Sequence, residues 1–397
     1  RDQPRSRGLG DVYKRQVTFC VSASRYAYAM RFLHTSDWHL GRTFHGVDLT
    51  DAQSRFADHL VDLAQEGSYD AVVVSGDVYD RAVPPIDALH LFDRTITRLA
   101  DAGIRVIASS GNHDSFHRLG FSRHQLDRVG IHLRTHVEDI LWPIDMGDCV
   151  IYAIPYLEPA LVHRALNVQR NHQSVISHCV QEIHAHAEQH FPGRPVVVVA
   201  HAFVTGATPS ESEREIGVGG VGNVGSGVFT NVAYAALGHL HRPQEITQGV
   251  VYSGSPIPYS FEEARIPKTV QDVQVDADGV KYHAIKLPQF VLAHSIRCSF
   301  EQALTRDWSD KDALVELELT DSKRVPQALQ KLKAKIPNLI HLRWVAEHLQ
   351  RSSAEHVHTE RTTDTEVFSA FMKHVTQHDP TPEELELFHE ALRGGQQ

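Results

Sequence analysis

The chain has 397 residues, 42% of them hydrophobic, and a formal net charge of -10. That length and apolar content supply a large packed core plus one or two smaller units, and they exclude a disordered chain. No run of about 18 uncharged apolar residues occurs, so no membrane-spanning helix is expected. The acidic balance excludes a surface coated in phosphate-binding Lys and Arg, so contact with nucleic acid must be local, metal-assisted or shared with a partner.

In chain order, residues 1–29 lack periodicity and read as a non-native or disordered leader. A secretory signal is the competing reading, but Ser, Arg and Tyr break its apolar stretch. From Met30 onward, apolar runs of strand length end in polar clusters: RFLHTSDWH, DAVVVSGDVYD, IRVIASSGNHD, RPVVVVAHAF and YAALGHLHRP. Unbroken runs of this kind suit strands buried on both faces. Between the early runs lie two amphipathic helices. Residues 51–66 place Phe56, Leu60 and Leu63 on one face, and residues 86–100 do so with Ile86, Leu89, Phe92, Ile96 and Leu99. Alternating strand and helix predicts a layered α/β domain, in which ligands collect beyond the carboxyl ends of the strands. Each polar cluster sits at such an end, so the clusters should converge.

Further along, His178, His184, His186 and His190 lie on a helix away from those clusters and read as surface residues. Gly217, Gly219 and Gly222 match G-x-G-x-x-G, but no strand precedes them, and no Gly-Lys-Ser/Thr follows. Residues 217–227 therefore read as a substrate-side loop rather than a nucleotide cradle. Beyond residue 290, ALVELELT and LIHLRWVAEH alternate as strands around the helical VPQALQKLKAKI, a small α+β unit made locally basic by Arg324, Lys331, Lys333 and Lys335. A polar linker over 351–362 leads to two capped helices, one starting at Thr363 with Glu366 and one at Thr381 with Glu384. Four cysteines (Cys20, Cys149, Cys179, Cys298) without a C-x-x-C suggest a reducing, cytoplasmic setting.

If the strand ends converge, Asp37, His39, Asp77, Asn112, His201, His239 and His241 meet, with His113 and Asp114 beside them. Carboxylate, imidazole and amide donors without sulfur suit manganese, iron or zinc. Seven donors are too many for one ion. With one carboxylate shared they furnish two adjacent sites, which clamp the attacking and leaving oxygens of a phosphoryl displacement. Asp77 is the natural shared ligand, because Gly76 lets the backbone come close. Each motif alone also fits a plain turn or surface imidazoles. Five in this order, each at a strand end, do not.

In that order, DWH, GDVYD, GNHD, the single His201 and GHLH resemble the signature of the calcineurin-like metallophosphoesterases. MRFLHTSDWHLGR, GDVYDRAVPP and YSGSPIPYSFEEA are similar, more narrowly, to the SbcD-type nuclease subunits of SbcCD exonuclease complexes, from Met30 to the end and most specifically in the first 265 residues. The resemblance implies a β-sandwich flanked by helices over 30–290, a DNA-capping domain over 291–350, and a helical hairpin over 363–397 that grips the coiled coil of the ATPase SbcC. It implies Asp37, His39, Asp77 and His241 on one divalent ion, and Asp77, Asn112, His201 and His239 on a second, manganese above all. His113 becomes the catalytic imidazole, with Asp114 orienting its ring. Where archaeal and eukaryotic members carry a further histidine, this chain has Asp80. The implied activity is 3'-5' exonuclease on duplex DNA and endonuclease on single strands and hairpins, in DNA repair, recombination and replication. The implied assembly is a homodimer within a heterotetramer whose ATP is bound by SbcC. A small-molecule phosphodiesterase with the same two-metal site is the alternative, and a non-catalytic scaffold is a third.

Overall fold

The computed structural model describes residues 29–210, 212–213, 222–276, 278–308, 310–345, 365, 368–369, 372–373 and 378–394. The expected leader up to residue 28, the linker over 351–362, the Thr363–Glu366 cap and residues 217–221 of the Gly-rich loop lie outside the described residues. The chain divides into two compact units, one of residues 1–42, 50–256 and 267–288, the other of residues 43–49, 257–266 and 289–397.

Two six-stranded sheets build the first unit. In one, strands Met30–Thr35, Ala71–Ser75, Arg105–Ser109 and Ile131–Arg134 are neighbours in that order and parallel. Thr269–Asp276 and then Gly279–Lys286 extend this sheet antiparallel past Met30–Thr35. In the other, Val250–Tyr252, Tyr234–Gly238, Val196–His201 and Val150–Ile154 are parallel, with Gln244–Thr247 and Ile144–Asp145 antiparallel at the edges. The apolar runs are buried on both faces for a visible reason. Phe32, Val73 and Ile107 of one sheet meet Ile151, Val197, Val199 and Tyr234 of the other. Behind the second sheet, Tyr152, Val198, Ala235 and Leu237 pack on Val175, Ile176, Cys179 and Ile183 of helix His172–His190. The β-sandwich expected from the motifs is therefore the architecture found.

The expected helices are Thr50–Glu66 and Ile86–Asp101. Of the face the sequence suggested for the second, Phe92, Ile96 and Leu99 are buried, but Ile86 and Leu89 are not. Ala88, Leu91, Phe92, Thr95, Ile96 and Leu99 are buried, whereas Ile86 is 68% and Leu89 42% exposed, as is Val83 at 63%. The buried set is an i, i+3, i+4 stripe. Ile86 falls roughly opposite its centre and Leu89 at its edge.

In the second unit, Ala293–Cys298, Leu314–Leu319 and Leu339–Trp344 form a parallel three-stranded sheet. Val315, Leu317, Leu319 and Leu339 pack with Ala303, Leu332 and Ile336, which is the expected strand–helix–strand unit with one apolar face. The opposite face is polar and centres on buried Glu316, whose carboxylate accepts from Ser295 Oγ (2.5 Å) and Arg343 Nη2 (3.2 Å) and lies 2.7 Å from His341 Nδ1. Two pieces assigned by the sequence to the first domain belong here instead, residues 43–49 and 257–266. Their side chains explain it: the Phe44 ring packs edge-on against Phe261 at 4.9 Å, and His45 stacks on His341 at 4.5 Å. Near the C-terminus, helix Pro382–Gly394 carries the expected capping box, with Thr381 N–H donating to Glu384 Oε2 (2.7 Å) and Glu384 N–H to Thr381 Oγ1 (3.3 Å). Phe388 of this helix stacks on Phe368 at 4.2 Å.

Candidate metal centre

Five parallel strands end at one place. Met30–Thr35 leads into Asp37 and His39, Ala71–Ser75 into Asp77, Arg105–Ser109 into Asn112 and His113, Val196–His201 ends in His201, and Tyr234–Gly238 leads into His239 and His241. Four of these residues have left-handed backbones: Asp37 (φ 53), His39 (φ 41), Asp77 (φ 50) and His239 (φ 104). Such a conformation costs a non-glycine residue about 1–3 kcal/mol and persists only where surroundings enforce it. Here the loops lock one another. Asp37 N–H donates to Gly76 O (3.1 Å), His39 N–H to Asp77 O (3.0 Å), and His239 N–H to Asp37 Oδ1 (3.0 Å). Two glycines are required by proximity: a Cβ on Gly76 would enter the His201 ring, and one on Gly111 the Asp77 carboxylate.

Asp77 occupies the middle. Its Oδ1 accepts the His113 N–H at 2.9 Å, and its Oδ2 lies 3.5 Å from His39 Nε2 and 3.4 Å from His201 Nε2. On one side, His39 Nε2 faces His241 Nε2 at 3.1 Å, and donor atoms of Asp37, His39 and His241 all lie within 4.8 Å of one another. On the other, His201 Nε2 is 2.9 Å from Asn112 Oδ1, and the His239 ring stands 5.3 Å from that of His201. All seven residues expected as ligands are thus brought together. Buried nitrogen and oxygen donors facing one another, with no sulfur among them, fit hard to borderline divalent cations.

The charges fit as well. Burial pushes Asp37 up to about 6, although His201 and His241 pull against it. Burial acts the same way on Asp77, but the charge and hydrogen bond of His201, then His39 and His113, hold it well below the usual carboxylate range. His201 shows the converse: burial disfavours its proton, yet Asp77 and Asp37 raise it to about 9. Burial holds His39 and His239 well below the usual imidazole value, in the neutral form that ligates cations.

His113 lies beside this cluster, its Nε2 4.0 Å from Asp77 Oδ2 and its Nδ1 2.7 Å from the Asp80 carbonyl oxygen. That geometry makes Nδ1 the protonated nitrogen and turns Nε2 towards the centre. The ring-orienting role expected of Asp114 therefore falls to the Asp80 carbonyl. The Asp114 carboxylate accepts instead from the N–H groups of Gly111 (2.9 Å), Val78 (3.1 Å) and Tyr79 (2.9 Å), tying the Asn112 loop to the Asp77 loop. Burial, followed by the charge of Asp77, pushes Asp114 up to about 7.

Several supporting residues had no sequence signal. Ser36 Oγ donates to Asp37 Oδ2 (2.5 Å), Gln53 Nε2 to the His39 carbonyl (2.8 Å), and Lys268 Nζ to the His241 carbonyl (3.2 Å). Glu213 Oε1 accepts the His241 N–H at 2.7 Å, and Ser212 Oγ lies 2.6 Å from His241 Nδ1. Outer partners of this kind fix ring orientation at metal sites. Only Ser36, adjacent to Asp37, was within reach of a motif.

The family described as calcineurin-like phosphoesterase matches residues 30–243, and that described as type 5 capsule protein repressor C-terminal domain matches residues 294–376. Among curated proteins, the SbcD subunit of the SbcCD nuclease of Staphylococcus saprophyticus is 28% identical over 322 residues, covering 79% of this chain and 84% of that protein. Among solved structures, a Thermus thermophilus protein is 12% identical with a TM-score of 0.38, covering 64% of this chain and 99% of its own. A dimetal phosphatase from Danio rerio is 13% identical with a TM-score of 0.39, covering 65% and 99%. The first match takes in more than half of the chain, including every residue of the converging cluster, and the chain belongs to the calcineurin-like phosphoesterase family.

Proposed function

We propose that this chain is a manganese-dependent DNA nuclease subunit of the SbcD type. It acts with the ATPase SbcC as a 3'-5' exonuclease on duplex ends and as an endonuclease on single strands and hairpins, in cytoplasmic DNA repair, recombination and replication. The observation that carries the reading is the Asp77 carboxylate set between His39 and His201, in a chain whose curated relative is a nuclease subunit. The two-ion assignment follows the same pairing, with Asp37, His39, Asp77 and His241 on one side and Asp77, Asn112, His201 and His239 on the other. Divalent cations bound there supply Lewis-acid charge against the phosphate oxygens and a nucleophile from water at neutral pH. The protein's own part is to hold His39 and His239 neutral, keep Asp77 ionised, and present His113 Nε2 to the departing sugar oxygen while Nδ1–H stays on the Asp80 carbonyl. A second, separately packed unit and an amphipathic C-terminal helix favour a macromolecular substrate and partner over a small-molecule phosphodiesterase. The test is manganese-dependent cutting of closed circular single-stranded DNA, which the parent chain should carry out and the His113→Ala variant should not.

The raised His201 value fixes a pH dependence. Its folded value of about 9 exceeds the ordinary 6.5. Stability from the protonated His201–Asp77 pair is therefore fully present below 6.5 and lost as pH rises through 9 in the metal-free chain. Cation binding requires that proton to leave, so it strengthens over the same window. Melting curves in manganese and in chelator should diverge between pH 6.5 and 9. A gap that narrows would contradict the assignment of His201 as a ligand.

The partner contacts are also assigned. The C-terminal hairpin binds the SbcC coiled coil, supported by helix Pro382–Gly394, on which Leu387 is 66% exposed. Deleting residues 363–397 should abolish co-purification with SbcC and spare cleavage of single strands by the isolated chain. Retained co-purification would contradict it. Homodimerisation uses the exposed Val83, Ile86 and Leu89 on and before helix Ile86–Asp101. Replacing Ile86 and Leu89 together by Asp should convert a dimer to a monomer by light scattering, and an unchanged mass would exclude that surface.

A further inference from the structure

A sixth strand end reaches the metal centre without any motif to mark it. Val150–Ile154 runs parallel to Val196–His201, with Ile154 paired to Ala200, so its carboxyl end delivers Pro155 and Tyr156 beside His201. Pro155 and Leu157 are buried, whereas Tyr156 between them is only half-buried. Its ring stands edge-on to His201, 6.5 Å between centroids at an interplanar angle of 86°. Three contacts fix it there. Its N–H donates to the carbonyl of Ser110 at 2.8 Å, two residues before Asn112, its hydroxyl donates to Glu158 Oε2 at 3.0 Å, and the buried His172 ring packs against it at 5.7 Å. Phe203, also half-buried, stands 6.4 Å from the His239 ring. Two aromatic rings thus flank the imidazoles of one side of the centre. A bare phosphodiester has no use for such walls, whereas every nucleobase has a flat face that stacks on an aromatic ring whatever its sequence.

We propose that Tyr156 stacks on the nucleobase adjoining the scissile phosphate, so that this side of the centre accepts an unpaired nucleotide and positions it by its base. The inference rests on the nuclease reading and adds to it the residue that distinguishes a nucleotide from other phosphodiesters. Tyr156 is a positioning residue here, and the His201 and Asn112 loops are what hold it.

The test uses single-stranded oligonucleotides with one phosphodiester among phosphorothioate linkages, in manganese. One strand carries normal nucleotides, and two others carry an abasic tetrahydrofuran on one or the other side of the cleavable linkage. For the parent chain, kcat/KM should favour the normal strand over one abasic strand by roughly tenfold, the scale of a lost base–aromatic stack. In Tyr156→Ala that ratio should fall to about one, while Tyr156→Phe and Tyr156→Trp keep it. A purely structural role would lower both rates and leave the ratio intact, so an unchanged ratio in Tyr156→Ala overturns the inference. A parent ratio near one for both abasic strands overturns it as well. A parent chain that cuts none of the strands overturns the nuclease reading, and this inference with it.

Discussion

Replacing Asp77 by Ala is expected to abolish phosphodiester cleavage and the binding of both ions together. Its Oδ2 lies 3.5 Å from a His39 nitrogen and 3.4 Å from a His201 nitrogen, and Oδ1 anchors the backbone of His113 at 2.9 Å. One substitution therefore removes a donor from each side of the centre and releases the loop that carries His113. The loss should far exceed the roughly 10–100-fold that removing an outer partner of a metal ligand costs. The fold should survive, because His201, held near pKa 9 largely by Asp77, can give up its proton when that partner is gone. Elemental analysis after gel filtration would decide the matter: two ions retained by a folded Asp77→Ala chain would contradict a shared ligand. Asp77→Asn keeps the shape without the charge and should fail in the same way.

His113→Ala is expected to keep both ions and to lose roughly 10²–10⁴-fold in turnover, the usual contribution of a positioned acid–base group. The geometry makes this a sharp test, because donor atoms of His39, Asp77 and His113 also lie within 4.8 Å of one another, close enough to hold an ion. Loss of one ion from His113→Ala would make the residue a ligand and remove its proton-donor role. Full loading with a depressed rate, and a flattened limb in the pH–rate profile, would assign it to proton transfer from Nε2.

Much of the site was legible because each candidate residue follows an apolar run and the order of the runs is the order of the motifs. Strand ends in parallel sheets converge by construction, so Asp37, Asp77, Asn112, His201 and His241 met without any knowledge of the sheet order. What the sequence could not reveal depends on backbone partners and on coverage. Asp114 looked like a partner for the neighbouring His113, but its oxygens are taken by three backbone N–H groups, and no residue type announces where a loop's N–H groups will point. Ile86 and Leu89 looked like core because periodicity identifies apolar residues without fixing how wide a stripe the sheet covers. Residues 43–49 and 257–266 looked continuous with their surroundings, yet belong to the second unit, joined to each other by Phe44 on Phe261 and to the three-stranded sheet by His45 stacked on His341. Tyr156 escaped notice because a lone tyrosine after a strand carries no pattern at all.

The measurement closest to the central claim is cleavage of closed circular single-stranded DNA by the full chain in manganese, with His113→Ala prepared in parallel and bound metal determined for both. Closed circles exclude exonuclease action at ends, so any linear product is an internal phosphodiester cut. Two ions in each protein, cutting by the parent, and almost none by the variant are the expected result. Two bound ions with no cutting by the parent, or equal cutting by both proteins, would contradict a nuclease centre served by His113.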